Sequence, residues 1–414
     1  MPVRLRSEIG VPEIRFEKRL KPPRWLGPAT PPIAVIVALA IGALVLWASG
    51  RDAVDIYQRM ARSAFTNPGA FSNTLIAATP LLLTGLAAAV TFRMKVWNIG
   101  ADGQLMIGAV LAAAAGTFFG GRSLAAVMAL MILAGIVGGC LWASIAALLR
   151  VYLNTNEVLT TLMLNYIAPL ILFYLIFNST SYWRDLSTQS ARVFPQAKTL
   201  AEDAFWPTYG AAAAVPFGFL LGVVLALALY FVVRNTRFGF QMRVSADSPE
   251  AARYAGISTG RLLILVMLLS GALAGIAGAS QIGDVSHRLE PKNLQLATFG
   301  YTGIAVAALV RYHPIGIVVS AILVGALNNA GFNLQGPDLP LGLIGVNQGI
   351  ILMLVAASEV TARYRLVIGR RARRGDRAPP PEQATLEPGA SPEQGTSDGT
   401  DERPRQDARP GEDS

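Results

Sequence analysis

This sequence is short of the residues from which most active sites and covalent staples are built. It has one cysteine, two histidines and only 15% charged residues among 414. A lone Cys140 excludes an internal disulfide and a cysteine-rich metal site. Its apolar setting reads as that of a buried structural thiol. His287 and His313 are distant in sequence and neither stands in an H-E-x-x-H context, while His313, in "RYHPIG", reads as a loop residue between two apolar runs. No G-x-x-x-x-G-K-[ST] stretch is present to cradle nucleotide phosphates, and no G-x-S-x-G turn to present a serine nucleophile. The chain is therefore expected to bind no metal or cofactor itself and to perform no chemistry on its ligand.

The shortage of charge has a second meaning. Soluble domains carry about 25% charged residues, whereas this chain is 53% hydrophobic with a mean hydropathy of +0.45. Its apolar residues come in blocks long enough to cross a bilayer, which takes roughly 20 residues per helix. We read ten such segments, at about 32–49, 71–92, 97–119, 123–148, 157–177, 211–233, 262–282, 294–310, 314–333 and 342–362. The runs are continuous rather than alternating, which argues against a transmembrane β-barrel. The fold class is all-α, a polytopic membrane protein.

A net charge of +9 would suit a nucleic-acid partner, but no aromatic-interleaved basic patch accompanies it. Basic residues gather instead in the first 24 residues, in 234–261 and after Arg363. With both termini in the cytoplasm, 26 of the 35 Lys and Arg fall inside, as the positive-inside rule requires. This reading makes 1–31 a basic cytoplasmic segment, 32–362 the membrane domain, 178–209 an external loop and 234–261 an internal one. From 363 to 414 the chain is a cytoplasmic tail whose Pro-, Glu-, Asp- and Gly-rich composition beyond Gly375 predicts disorder. The first span is preceded by about thirty residues, too many for an ordinary leader, so "LWASG" reads as part of a retained helix. The external loop carries Tyr182, Trp183, Phe194, Phe205, Trp206 and Tyr209, either as interfacial aromatics or as a docking surface. "LLLTGLAAA" at 81–89 and "MLLSGALAG" at 267–275 form a weak parallel repeat, each followed by a break and another apolar span.

Polar groups inside this apolar framework need a reason. In "WNIGADGQ", Asn98, Asp102 and Gln104 lie between two long apolar runs with Gly100 and Gly103 among them. An ionised side chain at mid-bilayer costs about 2.5–3.5 kcal/mol on insertion scales, so the stretch is either a protein-lined polar patch or an internal connection at a helix start. Thr161 and Asn165 stand four apart on one helical face, with Pro169 following to kink the span. Asn328 and Asn329 mark the outer end of the ninth segment, and Asn347 and Gln348 the outer half of the tenth. Single amides in membrane helices usually join helices; this many predict a shared polar path for a neutral, hydrogen-bonding cargo.

The internal segment 234–261 differs in kind. Ser248-Pro249-Glu250 has helix-start chemistry, and Gly256 can end the helix in a left-handed conformation. On composition alone this could equally be a helix lying at the membrane surface.

"WNIGADGQLMIGA", "NTNEVLTTLMLNYIA", "SPEAARYAGIS" and "FGYTGIAVAALVRYHPIG" resemble four successive motifs of ATP-binding-cassette importer permeases. The group is the branched-chain amino acid/ribose permease superfamily and, within it, the nucleoside (guanosine-type) permeases; the resemblance runs from about 70 to 362. It implies a multi-pass subunit of the bacterial inner membrane. Its expected partners are a second permease subunit, cytoplasmic ATPases that use ATP, and an extracytoplasmic substrate-binding lipoprotein. Ala246, Pro249, Glu250, Ala251, Ala252, Arg253, Tyr254, Ala255 and Gly256 match the family's ATPase-coupling helix. Asn98, Asp102 and Gln104 fall on the motif near its translocation path, with Asp102 where the group carries Glu. The implied cargo is a nucleoside, then a sugar, then a branched-chain amino acid. An ion-coupled secondary carrier is the alternative from a different class, since it too would use broken helices and midplane polar groups.

Overall fold

The computed structural model describes residues 13–18, 26–178, 181–187, 189–193, 195–210, 214–334 and 364–369, with isolated positions between 346 and 357. Asn347, Gln348, most of the expected tenth span and the tail beyond Gly375 lie outside the described residues. The chain divides into two units, the helical body Glu17–Arg365 and a unit formed by the chain's ends.

The body is almost wholly helical. In chain order its helices are α1 (Leu26–Ala48), α2 (Ala53–Ala61), α3 (Ala70–Arg93), α4 (Ala101–Phe118), α5 (Leu124–Leu153), α6 (Glu157–Phe177), α7 (Gln189–Val193), α8 (Phe217–Asn235), α9 (Arg237–Asp247), α10 (Pro249–Tyr254), α11 (Thr259–Ser280), α12 (Pro291–Ala297), α13 (Phe299–Leu309) and α14 (Pro314–Asn333). A π-helical turn, Gln281–Ser286, continues α11. Seven of the described helices are long and apolar enough to cross a membrane.

Local chemistry starts and stops these helices. Asp52 accepts from the Val54 and Asp55 amides to cap α2, and Asn156 accepts from Val158 and Leu159 to cap α6. His313 is more than a loop residue. Its Nδ1 accepts from the Gly316 amide at 3.3 Å, with Pro314 in the first turn, so it caps α14.

Helices α3 and α11 form the middle of the body. Every residue from Ala78 to Phe92 is buried, and so is the run from Leu273 to Ser280. Around them α5, α6 and α8 turn large apolar side chains outward: Leu133, Val137 and Leu141 at four-residue spacing, Tyr166, Leu170 and Tyr174 likewise, and Val224, Leu227 and Phe231. Such continuous apolar faces suit a lipid solvent and would be aggregation sites in water. Where α5 meets α11, small residues bring the backbones together. Gly135 and Gly139 oppose Gly271 and Gly275, and a Cβ at Gly139 or Gly271 would collide with the other residue's carbonyl oxygen.

The segment expected as one helix over 294–310 is two. Thr298 takes a left-handed conformation (φ 44°, ψ 42°) between α12 and α13. Apolar composition alone reads as a continuous span, but the α13 N-terminus finds an acceptor on another helix, described below, and the break is thereby compensated.

Candidate functional site

Trp97–Ile99 is irregular chain and α4 begins at Ala101, so "WNIGADGQ" is a connection between two helices that is also protein-lined. Asn98, Asp102 and Gln104 are all buried. Asn98 and Gln104 exchange amide hydrogen bonds at 3.2 Å, and Asn98 also donates to Ser270 Oγ at 3.0 Å, which in turn donates to the Ala87 carbonyl. From α6, Thr161 Oγ1 accepts from the Ile99 amide. Asn165 donates to the Ile99 carbonyl at 2.8 Å and to the Tyr301 hydroxyl at 3.0 Å while accepting from the Gly103 amide at 2.9 Å. The five polar residues expected here are thus brought together, joining α3, α4, α6, α11 and α13, and their hydrogen-bonding capacity is spent largely on the protein.

Asp102 has one clear function within this network. Its Oδ1 accepts from the Gly300 amide at 2.6 Å, across a sequence separation of 198. It therefore caps α13 from outside, placing a carboxylate at the positive end of that helix. Gly300 must lack a side chain, because a Cβ would strike the Asp102 amide nitrogen. The same device recurs at the opposite end of the body, the outer end in the orientation expected from the charge distribution, where Asp284 Oδ2 accepts from the Gly218 amide at 3.1 Å at the start of α8. Both glycines follow a phenylalanine, Phe217-Gly218 and Phe299-Gly300. Sequence reasoning missed these glycines, Ser270 and Tyr301; the usable signal was a carboxylate in an apolar run, which demands a donor. Asp102→Leu should lower stability by about 2 kcal/mol, because the Gly300 amide loses its buried acceptor. Asp102→Asn, which keeps an oxygen there, should cost less than about 1 kcal/mol. Thermal unfolding of the purified variants in detergent checks the difference.

At the outer end a separate cleft of about 730 Å³ opens between α3, the turn after α11, the α12–α13 break and α14. Its polar lining is Asn73, Gln281, Thr298, Thr302, Asn328, Asn329 and Asn333, and its apolar lining includes Ile76, Pro80, Val285, Leu296, Phe299 and Phe332. None of its described lining residues is ionisable. Asn329 is committed to the scaffold: its Nδ2 lies within hydrogen-bond reach of the Ser63 and Ala70 carbonyls and of Thr74 Oγ1, and its Oδ1 accepts from Asn333. The Asn73, Gln281, Thr302 and Asn328 side chains make no hydrogen bond among the described residues. Beside this cleft, and sharing Asn73 and Asn333 with it, a cavity of about 530 Å³ is lined by Arg59, Arg62 and Asn67. Asn328 and Asn329 are therefore on the outer cleft, while Asn98, Asp102, Gln104, Thr161 and Asn165 form the inner network.

At the inner end, α9 and α10 form a sharp corner. Ser248 Oγ accepts from the Ala251 amide, Pro249 opens α10, and Gly256 (φ 75°) turns the chain away after it. Ala252 is buried and anchors the corner, while Pro249, Glu250, Ala251, Arg253, Ala255 and Gly256 are exposed and Tyr254 is 97% exposed. Ala246 is half-buried, and its carbonyl accepts from Lys95 Nζ at 2.6 Å, tying the corner to the loop that leads into "WNIGADGQ".

The segment expected to be external does something that neither expectation covered. Trp206 is buried against Gly283, Phe205 stacks on His287 at 3.8 Å between ring centroids, and Leu200 donates its amide to the His287 carbonyl. Burial holds the His287 imidazole below its ordinary pKa. These residues seal the outer ends of α4 and α11, leaving Tyr182 and Tyr209 exposed, while Phe194 lies outside the described residues.

Comparison with known proteins adds to this geometry. A family model described as "Branched-chain amino acid transport system / permease component" matches residues 70–356. The chain is 33% identical to the glucose ABC transporter permease protein TsgB13 of Haloferax volcanii, over 89% of this chain and 97% of that protein. It is 30% identical to the guanosine ABC transporter permease protein NupP of Bacillus subtilis, over 83% of this chain and 97% of NupP. With the nucleoside ABC transporter permease protein NupB of Lactococcus lactis it shares 28% identity over 80% and 91% of the two chains.

Proposed function

Since this chain belongs to the branched-chain amino acid transport system permease family of ABC transporters, we propose that it carries a neutral, hydrogen-bonding solute, a nucleoside, across a bacterial inner membrane. The observation that carries this reading is the outer cleft, with many neutral hydrogen-bonding groups and no charged one among its described lining residues. A zwitterionic amino acid would be stripped of water there with no counter-charge among the described lining residues for its ammonium end, which costs several kcal/mol per ion. The names of NupP and NupB favour a nucleoside, and that of TsgB13 keeps a sugar as the rival.

In this reading the inner network of Asn98, Asp102, Gln104, Thr161 and Asn165 braces the wall of the path, and Asn328 with its neighbours meets the cargo. A second permease subunit closes the open side of the cleft, and an external binding lipoprotein delivers to it. The cytoplasmic ATPase seats on Ala246 and on Pro249 through Gly256, whose exposed face is anchored from behind by Ala252. ATP is bound and hydrolysed by that partner. Uptake of labelled guanosine, with the partner ATPase inactivated by substitution in its own phosphate-binding loop, tests the mechanism. Uptake should fall to background; persistence at full rate would make this chain an ion-coupled carrier instead.

A further inference from the structure

We propose that the permease itself selects its cargo in the outer cleft, and that it does so by the nucleobase. The base stacks on Phe299 while Gln281, Asn328 and Thr302 read its polar edge. This inference rests on the transport reading above and deepens it.

The argument begins with what the side chains are free to do. Among the amides on the cleft, Asn329 is consumed by α3 and the turn before it, and Asn333 spends one of its two donors on Asn329. Asn73, Gln281, Thr302, Asn328 and the Asn333 carbonyl oxygen remain, offering both donors and acceptors. A solute that displaces water from these groups must replace its hydrogen bonds, so the cleft discriminates by what it would leave unpaired. Asn and Gln side chains are suited to this work, because one amide can pair with a donor and an acceptor adjacent on a base edge.

The apolar wall narrows the choice. Ile76, Pro80, Val285, Leu296, Phe299 and Phe332 lie on the same cleft as the amides. A hexose carries hydroxyls around its whole perimeter, and some of them would be desolvated against that wall without a partner. A nucleobase has two apolar faces and confines its polar atoms to its edge, matching a site with one apolar wall and one polar one. Phe299 is suited to be the stacking platform. Its half-buried ring packs against both large core clusters, and its carbonyl accepts from Thr84 Oγ1 at 3.0 Å. A ring held this way loses little freedom when a base stacks on it. The left-handed Thr298 beside it ends α12 and starts α13, so the break in the helix is what brings Phe299 to the cleft.

The test uses the assembled permease–ATPase complex in nanodiscs, without the external binding protein, so that only the membrane path can bind. Guanosine, glucose and leucine are the probes, read by saturation-transfer NMR and competition. Guanosine should bind and the other two should not displace it at equal concentration. Asn328→Ala and Phe299→Leu should each weaken guanosine binding by about tenfold, the loss of one hydrogen bond or one stacked face. Asn329→Ala should lower the yield of folded complex, because its bonds to α3 are lost. The inference is overturned if both cleft variants bind guanosine like the wild type, or if glucose or leucine displaces it equally. It is also overturned if the nanodisc complex binds no guanosine while the complete transporter imports it, an outcome that leaves the transport reading standing. Absence of guanosine import by the complete transporter would remove both.

Discussion

Replacing Gly139 or Gly271 with leucine should leave almost no folded protein in the membrane. The two helices that carry them, α5 and α11, meet backbone to backbone, and a side chain at either position has nowhere to go. A Cβ on Gly271 would also stand 2.6 Å from the Ala143 Cβ, and one on Gly108 would stand 2.5 Å from the Gly275 Cα. The obstacle is backbone rather than the flexible end of a side chain, so relief requires the helices to separate. Separation would strip contact from α4 as well, because a Cβ on Gly138 already meets the Gly108 backbone from that side. Inserting extra atoms into an ordinary packed core costs about 1–3 kcal/mol; a leucine at this crossing should exceed that range. Close packing supplies much of what holds membrane helices together, since lipid gives no hydrophobic drive to associate. Monodisperse yield and thermal unfolding in detergent measure the loss. Wild-type yield and melting for either variant would mean that the α5–α11 approach is not as close as described.

The double variant Gly256→Trp with Glu250→Arg should abolish ATP-driven uptake while leaving the protein inserted and folded. Both positions are exposed, and a Cβ at Gly256 meets nothing within 4 Å, so an indole there disturbs little of this chain's own packing. The cost within the chain is the left-handed backbone (φ 75°), about 1–2 kcal/mol for a residue with a side chain. That is a small part of the stability of a body this size. What the indole fills is the space in front of α10, and the charge reversal at Glu250 alters the same surface. Uptake of guanosine and stimulated ATP hydrolysis should both fall to background in the assembled complex, with normal membrane insertion. Wild-type uptake would show that no partner sits on α10. Lys95 makes the result informative about coupling as well as docking, because it joins the Ala246 carbonyl to the loop that runs into Asn98.

Much of this organisation was legible in the chain. Blocks of about 20 apolar residues outlined the spans, and the local signals at Ser248, Pro249 and Gly256 outlined α10, because both depend on neighbours within a few residues. The polar stretch 97–104 was legible as a place that needed partners, but not as to which partners. Asp102 bonds to an amide 198 residues away, and nothing within its own window names Gly300. The break at Thr298 was hidden for the same reason: the 294–310 segment is mostly apolar, and it breaks where another helix supplies a cap. Asn328 and Asn329 are indistinguishable in sequence. As neighbours on α14 they point about 100° apart, so that Asn329 is bonded to α3 while Asn328 is left to the cleft.

Composition, apolar run length and local capping signals by themselves determined that this chain is an all-α protein crossing a membrane many times, roughly where most of its long helices fall, and that a short capped helix follows Ser248. These are consequences of solvation and of hydrogen bonds between near neighbours, which any stretch of the chain carries with it. Only the tertiary structure decided which polar groups are spent on the scaffold and which remain for a solute, because a buried donor is satisfied by whatever acceptor packing brings within about 3 Å. That acceptor is chosen by helix contacts such as Gly139 against Gly271, which no single stretch of sequence contains.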